Sequence, residues 1–546
     1  GVDTQRLLEL VLQLLAWEKL SRCNAVAEDL KFSDDFIKSP EEIVNVFQAL
    51  SASGELMRRA FGHRHPEIDR NLHLLRDAME LVKNFSTNGV LENINILFLD
   101  DEIEKWPLNI HHNMPKEVAD LLVDIARIGP RDSVYTPWDS SFAQLASRAS
   151  LKSDQVYYES ILQSTVPALI SILSKREFTV SISDPIAHPT AIEGGRPRLF
   201  DITVAFPQFG MRYSADEIRR DIFRRFPERT QIGSVLAIRH ALSQTKSRLV
   251  IAVPNSVLFS HGYERELRTN LVEKGMIETV ISMPSGLLHQ TNIAFSILVM
   301  NPEGGVRSIK FINADQPKFY IGIARTKNKL SNLDKLLDLI TLNKESEDCA
   351  IVPSGKILDN DAQLQVDRYV VSESRRQLEK RLSNLNTIQL GDIVRTVRAI
   401  PAGLRQEMPL AAMEIGAIDL PQFGFIEAKG RTISIDSNLA KRYEDCFLRP
   451  LDIVLIVKGS VGKIGLVPFD VPTPGNGGWV AGQSAIVLRV RPEYCAQSLF
   501  VQLRSSIGQA LLQGIVSGAS IKLIQLRELM RLEIVKSTPE QDAKAK

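Results

Sequence analysis

The sequence contains little cysteine, no long apolar run and almost no net charge. Its 546 residues include four cysteines, and Lys and Arg offset Asp and Glu to leave a net charge of +1. The cysteines have no paired spacing, which argues against a zinc site or a disulfide framework and fits a reducing compartment. Because the charge is near zero, any surface that binds nucleic acid must be local.

Membrane and metal signatures are also missing. No stretch approaches the ~18 uncharged apolar residues of a membrane span, and the first residues lack the basic and apolar regions of a signal peptide. His63 with His65, and His111 with His112, do not form a metal motif and are interpreted as solvated loop residues. We therefore expect a cytoplasmic protein with no membrane partner and no metal.

The chain is long enough for three or four domains. Leucines at helical spacing, as in LLELVLQLLAWEKL, predict a helical amino-terminal domain over residues 1–112. Over residues 113–345, strands alternate with helices, which predicts a doubly wound α/β domain with a parallel sheet. This interpretation assigns the stretch YYESILQSTVPALISILS to one helix.

The remaining chain has a different pattern. Residues 346–386 are polar and then turn amphipathic, which predicts a linker and a spacer helix. Short apolar stretches such as DIVLIV, AIVLRV and LMRLEIV predict a mostly β domain over residues 387–535. Residues 536–546 are expected to be a frayed tail.

Three segments resemble the methylation subunit of type I restriction-modification systems, an N6-adenine DNA methylase family. PKEVADLLVDIARIGPRDSVYTPWDSSFAQL is similar to the family's first helix and its cofactor loop, VYDPxCGSGGFL. FDITVAFPQFG resembles the catalytic signature FDxIVANPPFG, and the stretch from RLVIAVP to FSILVMN resembles the strands that follow it. The resemblance implies a Rossmann-like fold that uses S-adenosylmethionine.

The cofactor loop departs from the family pattern. Thr136 replaces the family's acidic residue, and Ser140, Phe142 and Ala143 fall on its glycines. The loop needs small residues because the cofactor approaches its backbone, so we expect the ring of Phe142 to occupy cofactor volume.

Two acidic residues are candidate remnants of the cofactor pocket. The resemblance implies that Glu159 would hold the ribose hydroxyls and that Asp184 would lie near the adenine. The alternative is that they are an ordinary acid at a helix start and a turn former at a strand end.

The catalytic loop departs as well. In the family, the Asn side chain and the next Pro carbonyl accept the hydrogens of the target amino group, and an aromatic ring stacks on the flipped base. Here Pro207 and Phe209 are retained, but Phe206 has no acceptor, and Gln208 should project in another direction. We therefore expect an inactive methylase homologue that binds no cofactor.

The last third resembles a target-recognition domain of a type I specificity subunit. The resemblance rests on IQLGDIV, LRPLDIVLIVKGSVGKIGLV, GQSAIVLRV and SGASIKLIQLRELMRLEI, with Leu451 where the family has Gly. Basic side chains beside predicted loops are candidates for DNA contact, since Lys and Arg neutralise phosphates and read guanine edges. These residues are Arg395, Arg398, Lys429, Arg431, Lys458 and Lys463. The alternative is a solvated β-domain surface.

The favoured hypothesis is a methylase-specificity fusion that recognises double-stranded DNA without modifying it. From the family alone, it would act with a partner nuclease, helicase or ATPase in restriction-modification or anti-phage defence, and a homodimer is an open alternative. A second hypothesis is an active adenine methyltransferase with divergent motifs that uses S-adenosylmethionine. A third is a scaffold that binds only proteins.

Overall fold

The computed structural model describes two compact units, Gly1–Val370 and Val371–Lys546. The described residues are 4–33, 40–62, 72–89, 96–99, 114–174, 176–288, 291, 293–324, 327–370, 385–399, 409–421, 424–429, 431–436, 444–517 and 523–546. The two predicted histidine pairs and residues 371–384 of the predicted spacer helix lie outside these ranges.

The first unit combines helices with one large sheet. Its helices are α1 (Thr4–Arg22), α2 (Pro40–Ser51), α3 (Glu55–Phe61), α4 (Leu72–Thr87), α5 (Lys116–Ala126), α6 (Gln144–Ser150), α7 (Val166–Ser174), α8 (Ala215–Arg219), α9 (Gly233–Ser243), α10 (Ser256–Phe259), α11 (Tyr263–Glu273), α12 (Leu333–Thr341) and α13 (Ser354–Asp359). Its strands are β1 (Ser133–Pro137), β2 (Gln155–Ser160), β3 (Thr179–Ile182), β4 (Ile192–Glu193), β5 (Arg196–Pro197), β6 (Phe200–Ala205), β7 (Thr245–Pro254), β8 (Ile277–Ser282), β9 (Phe295–Met300), β10 (Ser308–Asn313), β11 (Tyr320–Ala324), β12 (Lys327–Leu330) and β13 (Cys349–Pro353). Short 3-10 turns lie at Glu28–Leu30, Ile96–Phe98 and Val366–Arg368.

Nine strands form the large sheet in the order β13-β10-β8-β9-β7-β6-β1-β2-β3. Every residue of β9 is buried, and β6 and β7 are buried over most of their length, as expected for strands covered on both faces. The prediction of a parallel sheet is only partly right, because β9 runs antiparallel to β7 and β8, and β13 runs antiparallel to β10. A strand buried on both faces carries no sequence signal for its direction.

Two predicted boundaries need correction. The sequence pattern places Glu159 in a helix, but this residue lies in β2, which pairs with β1 and β3, and α7 begins only at Val166. The polar pattern predicts a linker from residue 346, but β13 follows that position as an edge strand of the large sheet. The first unit therefore extends to Val370.

The amino-terminal helices share a core with the sheet. Trp17 of α1 is fully buried and packs edge-on against Phe32 and Phe47, with ring centroids 4.9 and 5.9 Å away. The same apolar cluster continues to Val134 of β1 and Leu169 of α7. The described helices of residues 1–112 therefore belong to the same compact unit as the sheet.

The second unit contains small sheets and five described helices. The helices are α14 (Leu390–Ile393), α15 (Ala496–Arg504), α16 (Ser506–Gln513), α17 (Leu526–Met530) and α18 (Pro539–Ala545). The strands are β14 (Thr387–Gln389), β15 (Val394–Val397), β16 (Pro409–Ile415), β17 (Thr432–Asp436), β18 (Ile453–Ile456), β19 (Ile464–Leu466), β20 (Trp479–Ala481), β21 (Ala485–Val490), β22 (Val516–Ser517), β23 (Leu523–Ile524) and β24 (Glu533–Val535), with a 3-10 turn at Glu444–Cys446. The strands form a four-stranded sheet β15-β21-β18-β19, a three-stranded sheet β17-β16-β20, and the pairs β14-β24 and β22-β23.

This unit is less purely β than predicted. Leu503 of α15 and Leu512 of α16 are buried in one cluster with Ile453 of β18. The stretch LMRLEIV contains the end of α17 followed by β24. The predicted frayed tail includes α18, whose capping box at Thr538 satisfies the free N–H groups of its first turn.

The search for membrane spans found nothing long and apolar enough among the described helices.

Candidate functional site

Two loops follow the carboxyl ends of neighbouring parallel strands. β1 ends at Pro137 and β6 ends at Ala205, and the strands pair through Val134 and Ile202. The chain continues from β1 to β2 and β3 on one side, whereas β6 lies on the other side. In open α/β sheets, ligands bind in the crevice at such a reversal of strand order. This crevice is the candidate site.

The loop after β1 covers residues 138–143 and is strained at two positions. Trp138 and Ala143 have φ angles of 56° and 50°, in the left-handed region that favours glycine. Ala143 stands where the family has glycine, so its conformation explains that residue choice. Ser140 and Phe142, at the other two glycine positions, do not adopt positive φ angles.

Thr136 and Ser140 are both buried and bonded within the chain. The Thr136 hydroxyl donates to the carbonyl of Tyr157 on β2 at 3.4 Å. The Ser140 hydroxyl accepts from the backbone N–H of Gln144 at 3.3 Å, and its carbonyl accepts from the Tyr158 hydroxyl at 3.1 Å. Both side chains hold the loop against β2 and α6.

Two rings near this loop are buried in different clusters. Phe142 belongs to the core that the amino-terminal helices share with β2, together with Trp17 and Val156. Trp138 packs in the cluster that contains Ala205, at the end of β6. The ring buried beside the crevice is therefore that of Trp138, whereas the expected obstruction by Phe142 is replaced by core packing.

Asp139 occupies the start of α6. Its carboxylate accepts three backbone N–H groups, from Ser140 at 2.7 Å, Leu145 at 3.1 Å and Ala146 at 2.8 Å. Burial raises the pKa of Asp139 from 3.8 to about 7, and these three bonds oppose the shift. The N–H groups that make a helix start attractive to anions are thus bonded to the chain's own carboxylate.

Glu159 lies at the carboxyl end of β2 and is fully buried. One carboxylate oxygen accepts from the Tyr135 hydroxyl. The other accepts from the Thr190 hydroxyl and from the Thr190 backbone N–H at 3.0 Å. Burial raises the pKa of Glu159, and the bonds from Thr190 and Tyr135 oppose that rise. Both oxygens therefore have partners inside the protein.

The bond to Tyr135 continues as a buried polar chain through Tyr135, His240, Arg225 and Asp221. Arg225 Nη1 lies 2.6 Å from His240 Nδ1, and His240 Nε2 lies 3.0 Å from the Tyr135 hydroxyl. Because Arg can only donate, Nδ1 accepts and the proton of the neutral ring is on Nε2. Burial, and then the charge of Arg225, hold the pKa of His240 well below its usual value. Asp221 pairs with Arg225 at 2.9 Å.

Asp184 lies in the turn that follows β3. Its carboxylate accepts from the backbone N–H of Ile186 at 2.8 Å and of Ala187 at 3.2 Å, and the Tyr213 hydroxyl donates to it as well. Arg225 donates to the carbonyls of the same turn. Asp184 thus closes its own turn, as its alternative interpretation describes.

The loop after β6 is held by aromatic packing. Phe206 and Phe209 lie 5.5 Å apart between ring centroids, and each packs on Phe295 of β9, at 5.6 and 6.0 Å. Pro207 is buried, whereas Gln208 is partly exposed. The Phe206 position therefore presents a ring, packed on two other rings, where the family presents an amide.

The six predicted basic residues of the second unit differ in their charge partners. Three are paired with carboxylates: Arg395 with Asp445 at 2.7 Å, Lys429 with Glu427 at 3.0 Å, and Arg431 with Glu414 at 2.9 Å. Arg398, Lys458 and Lys463 are exposed and have no carboxylate partner within the described part of the chain. Lys463, whose Nζ lies 3.5 Å from the carbonyl of Ala417, is close to the stretch that also holds Glu414.

Leu451 explains a feature of the specificity-subunit pattern. Its φ angle is 64°, a left-handed conformation in which the family's glycine would be unstrained. The next residue, Asp452, is buried and pairs with Arg489 through two bonds of 2.9 and 2.7 Å.

Some residues of the site were not predicted. Asp139 could have been found, because an acidic residue shortly before a helix is a common capping signal. His240 and Arg225 had no such signal, since they meet Tyr135 only through the topology of the sheet. The described residues contain no cluster of His, Cys, Asp and Glu that could hold a metal ion.

Comparisons with known proteins address the methylase part. Residues 113–377 match the family described as N-6 DNA Methylase. The methylase subunit of the type I restriction enzyme MpnII from Mycoplasma pneumoniae is 26% identical over 190 residues, which span 33% of this chain and 34% of that protein. The MjaVII methylase subunit from Methanocaldococcus jannaschii is 23% identical over 309 residues, 50% of this chain and 52% of that protein. These matches thus span about half or less of each relative.

Solved structures agree on the fold. A type I methyltransferase subunit from Streptococcus thermophilus has a TM-score of 0.53 at 18% identity, over 63% of this chain and 81% of that chain. The type IIG restriction endonuclease BpuSI has a TM-score of 0.51 at 11% identity, over 99% of this chain and 72% of that chain. The first unit therefore has a methyltransferase-like fold.

Proposed function

We propose that this protein recognises DNA through a methylase-derived scaffold and does not transfer methyl groups. The observation that carries the proposal is that the polar groups around the crevice are bonded to the chain itself. Glu159 is bonded to Tyr135 and Thr190, and the N–H groups at the start of α6 are bonded to Asp139. A homologue with a functional pocket would keep such groups available for its cofactor.

S-adenosylmethionine does not fit these residues. Its ribose hydroxyls would need a carboxylate with accepting capacity, but both oxygens of Glu159 already accept bonds. Its own carboxylate would meet the negative charge of Asp139 when that residue is ionised. The indole of Trp138, which packs beside Ala205, also takes up space at the crevice.

The catalytic loop argues in the same direction. An exocyclic amino group becomes nucleophilic when oxygen acceptors hold its hydrogens, and losing one such group usually reduces the rate about 100- to 1,000-fold. Phe206 offers no acceptor and packs on Phe209 and Phe295. Methyl transfer would therefore be impaired at the base as well as at the cofactor.

DNA recognition is assigned to the second unit by its resemblance to a target-recognition domain. Lys458 and Lys463 flank a glycine turn, are exposed and lack carboxylate partners in the described stretches, so their charges are suited to phosphates. The same resemblance suggests action with a nuclease, helicase or ATPase partner in restriction-modification or anti-phage defence. A homodimer would supply a second recognition domain.

A random-site selection with the full chain tests this proposal. We expect one motif to be enriched and no tritium to pass from labelled S-adenosylmethionine to the DNA. Changing Lys458 and Lys463 together to Ala should weaken the binding of all sequences alike. It should also lower the salt slope by roughly 0.9 for each phosphate that is no longer neutralised.

The matched control changes Lys429 and Arg431 to Ala. Their charges are already neutralised by Glu427 and Glu414, so the effect should be smaller. Label transfer would contradict inactivity and favour the active methyltransferase, whereas a full chain that binds no DNA would favour the protein-binding scaffold.

A further inference from the structure

A two-stranded hairpin lies at the same edge of the sheet as the candidate site. β11 and β12 pair antiparallel between β10 and β13, with Ile321 opposite Lys329. The base of the hairpin is buried, since Phe319 and Leu330 lie in one apolar cluster against which Phe206 and Phe209 also pack. This shared packing links the hairpin to the loop after β6.

Hydrogen bonds fix the hairpin to the loop that follows β8. The Asn328 side chain donates to the carbonyl of Ser285 at 2.8 Å, and its backbone N–H donates to the carbonyl of Gly286 at 3.0 Å. The Lys327 ammonium donates to the carbonyl of Leu288 at 2.7 Å. Because β8 and β6 point in the same direction, the anchoring loop lies at the carboxyl edge. The hairpin is therefore held rigidly beside the crevice.

The outer part of the hairpin is apolar and basic. Ile321 and Ile323 are 61% and 65% exposed, and, two residues apart on one strand, they lie on the same face. Residues 320–330, YIGIARTKNKL, contain three basic residues and no acidic residue. An exposed apolar pair in a segment with only positive charges suits a polyanion that has apolar layers, which is the chemistry of a nucleic-acid duplex.

We propose that the β11-β12 hairpin enters a groove of double-stranded DNA and presses Ile321 and Ile323 against the bases. This inference rests on the DNA recognition proposed above. A two-stranded ribbon fits the major groove, and apolar side chains inserted between base steps partly unstack them in known DNA complexes. The hairpin would add affinity that depends on apolar burial, whereas Lys458 and Lys463 would add affinity that depends on salt.

The test compares two double variants of the full chain by fluorescence anisotropy on one labelled duplex. The first changes Ile321 and Ile323 to Ser, and the control changes the exposed Ile222 and Leu342 to Ser. The hairpin variant should bind about 10- to 100-fold more weakly with an unchanged salt slope, since each isoleucine contributes roughly tenfold through its burial. The control should bind like the wild type, and both variants should keep the wild-type unfolding midpoint.

A second readout detects unstacking directly. 2-Aminopurine placed along the duplex should brighten when the wild type binds and stay dim with the hairpin variant. If the wild type binds DNA and the hairpin variant binds equally well, the hairpin inference is wrong while the proposed function stands. If the wild type binds no DNA, both fail. A hairpin variant that loses only self-association would instead assign this face to a second copy of the chain.

Discussion

The two loops of the candidate site are closed by different interactions. After β1 and β2, closure is polar: Asp139 bonds the start of α6, and Glu159 bonds Tyr135. After β6, closure is aromatic, with Phe206 and its two neighbouring rings in contact. Buried polar groups need every partner, whereas apolar packing is spread over many weak contacts. The polar half should therefore be the more sensitive to substitution.

The largest effect is expected where the polar chain is fully buried. Arg225→Ala leaves Asp221 as an uncompensated buried charge, so the free energy of unfolding should fall by about 3–5 kcal/mol. The control is Arg219→Ala, which removes an exposed pair with Asp216 and should change stability by less than about 1 kcal/mol. Denaturant unfolding of both variants measures the difference. Equal losses would contradict the special role of burial.

The next effect concerns pH. The folded-state pKa of Asp139 is raised from 3.8 to about 7, so its contribution is fully present below pH 3.8 and is lost as the pH rises to about 7. Asp139→Asn removes this titration. The stability of the wild type minus that of the variant should therefore fall with pH over that window, by up to about 1.4 kcal/mol per pH unit. Unfolding curves at several pH values measure it, and a constant difference would refute the burial of this carboxylate.

A smaller effect is expected in the middle of the polar chain. Tyr135→Phe removes the hydroxyl that joins Glu159 to His240, leaving two buried groups short of a partner, and should lower stability by about 1–3 kcal/mol. The control Tyr157→Phe removes a more exposed bond to Thr190 and should have less effect. If the two variants unfold alike, the chain through Tyr135 does not stabilise the fold.

The smallest change in stability is expected in the aromatic half. Phe206→Asn restores the family's acceptor and loses ring contacts worth about 1 kcal/mol. It should still transfer no methyl group, because the cofactor half stays closed. Phe206→Leu is the control that keeps the position apolar without adding an acceptor. Tritium transfer by the Asn variant alone would show that the cofactor half is open.

Sequence reasoning recovered the strands better than the closure of the site. The apolar runs of β6, β7 and β9 predict buried strands because burial on both faces leaves no polar positions. The direction of β9 and the strand β13 were missed, since strand direction and edge pairing depend on distant partners. Comparison with the family compares residue types and not directions, so it implicated Phe142, whose ring lies in the core, and passed over Trp138 beside Ala205.

Calorimetric titration of the full chain with S-adenosylmethionine tests the central claim most directly. Because Asp139 and Glu159 are bonded to the chain itself, we predict no binding heat at cofactor concentrations that saturate active methyltransferases. A dissociation constant in the micromolar range would contradict this prediction.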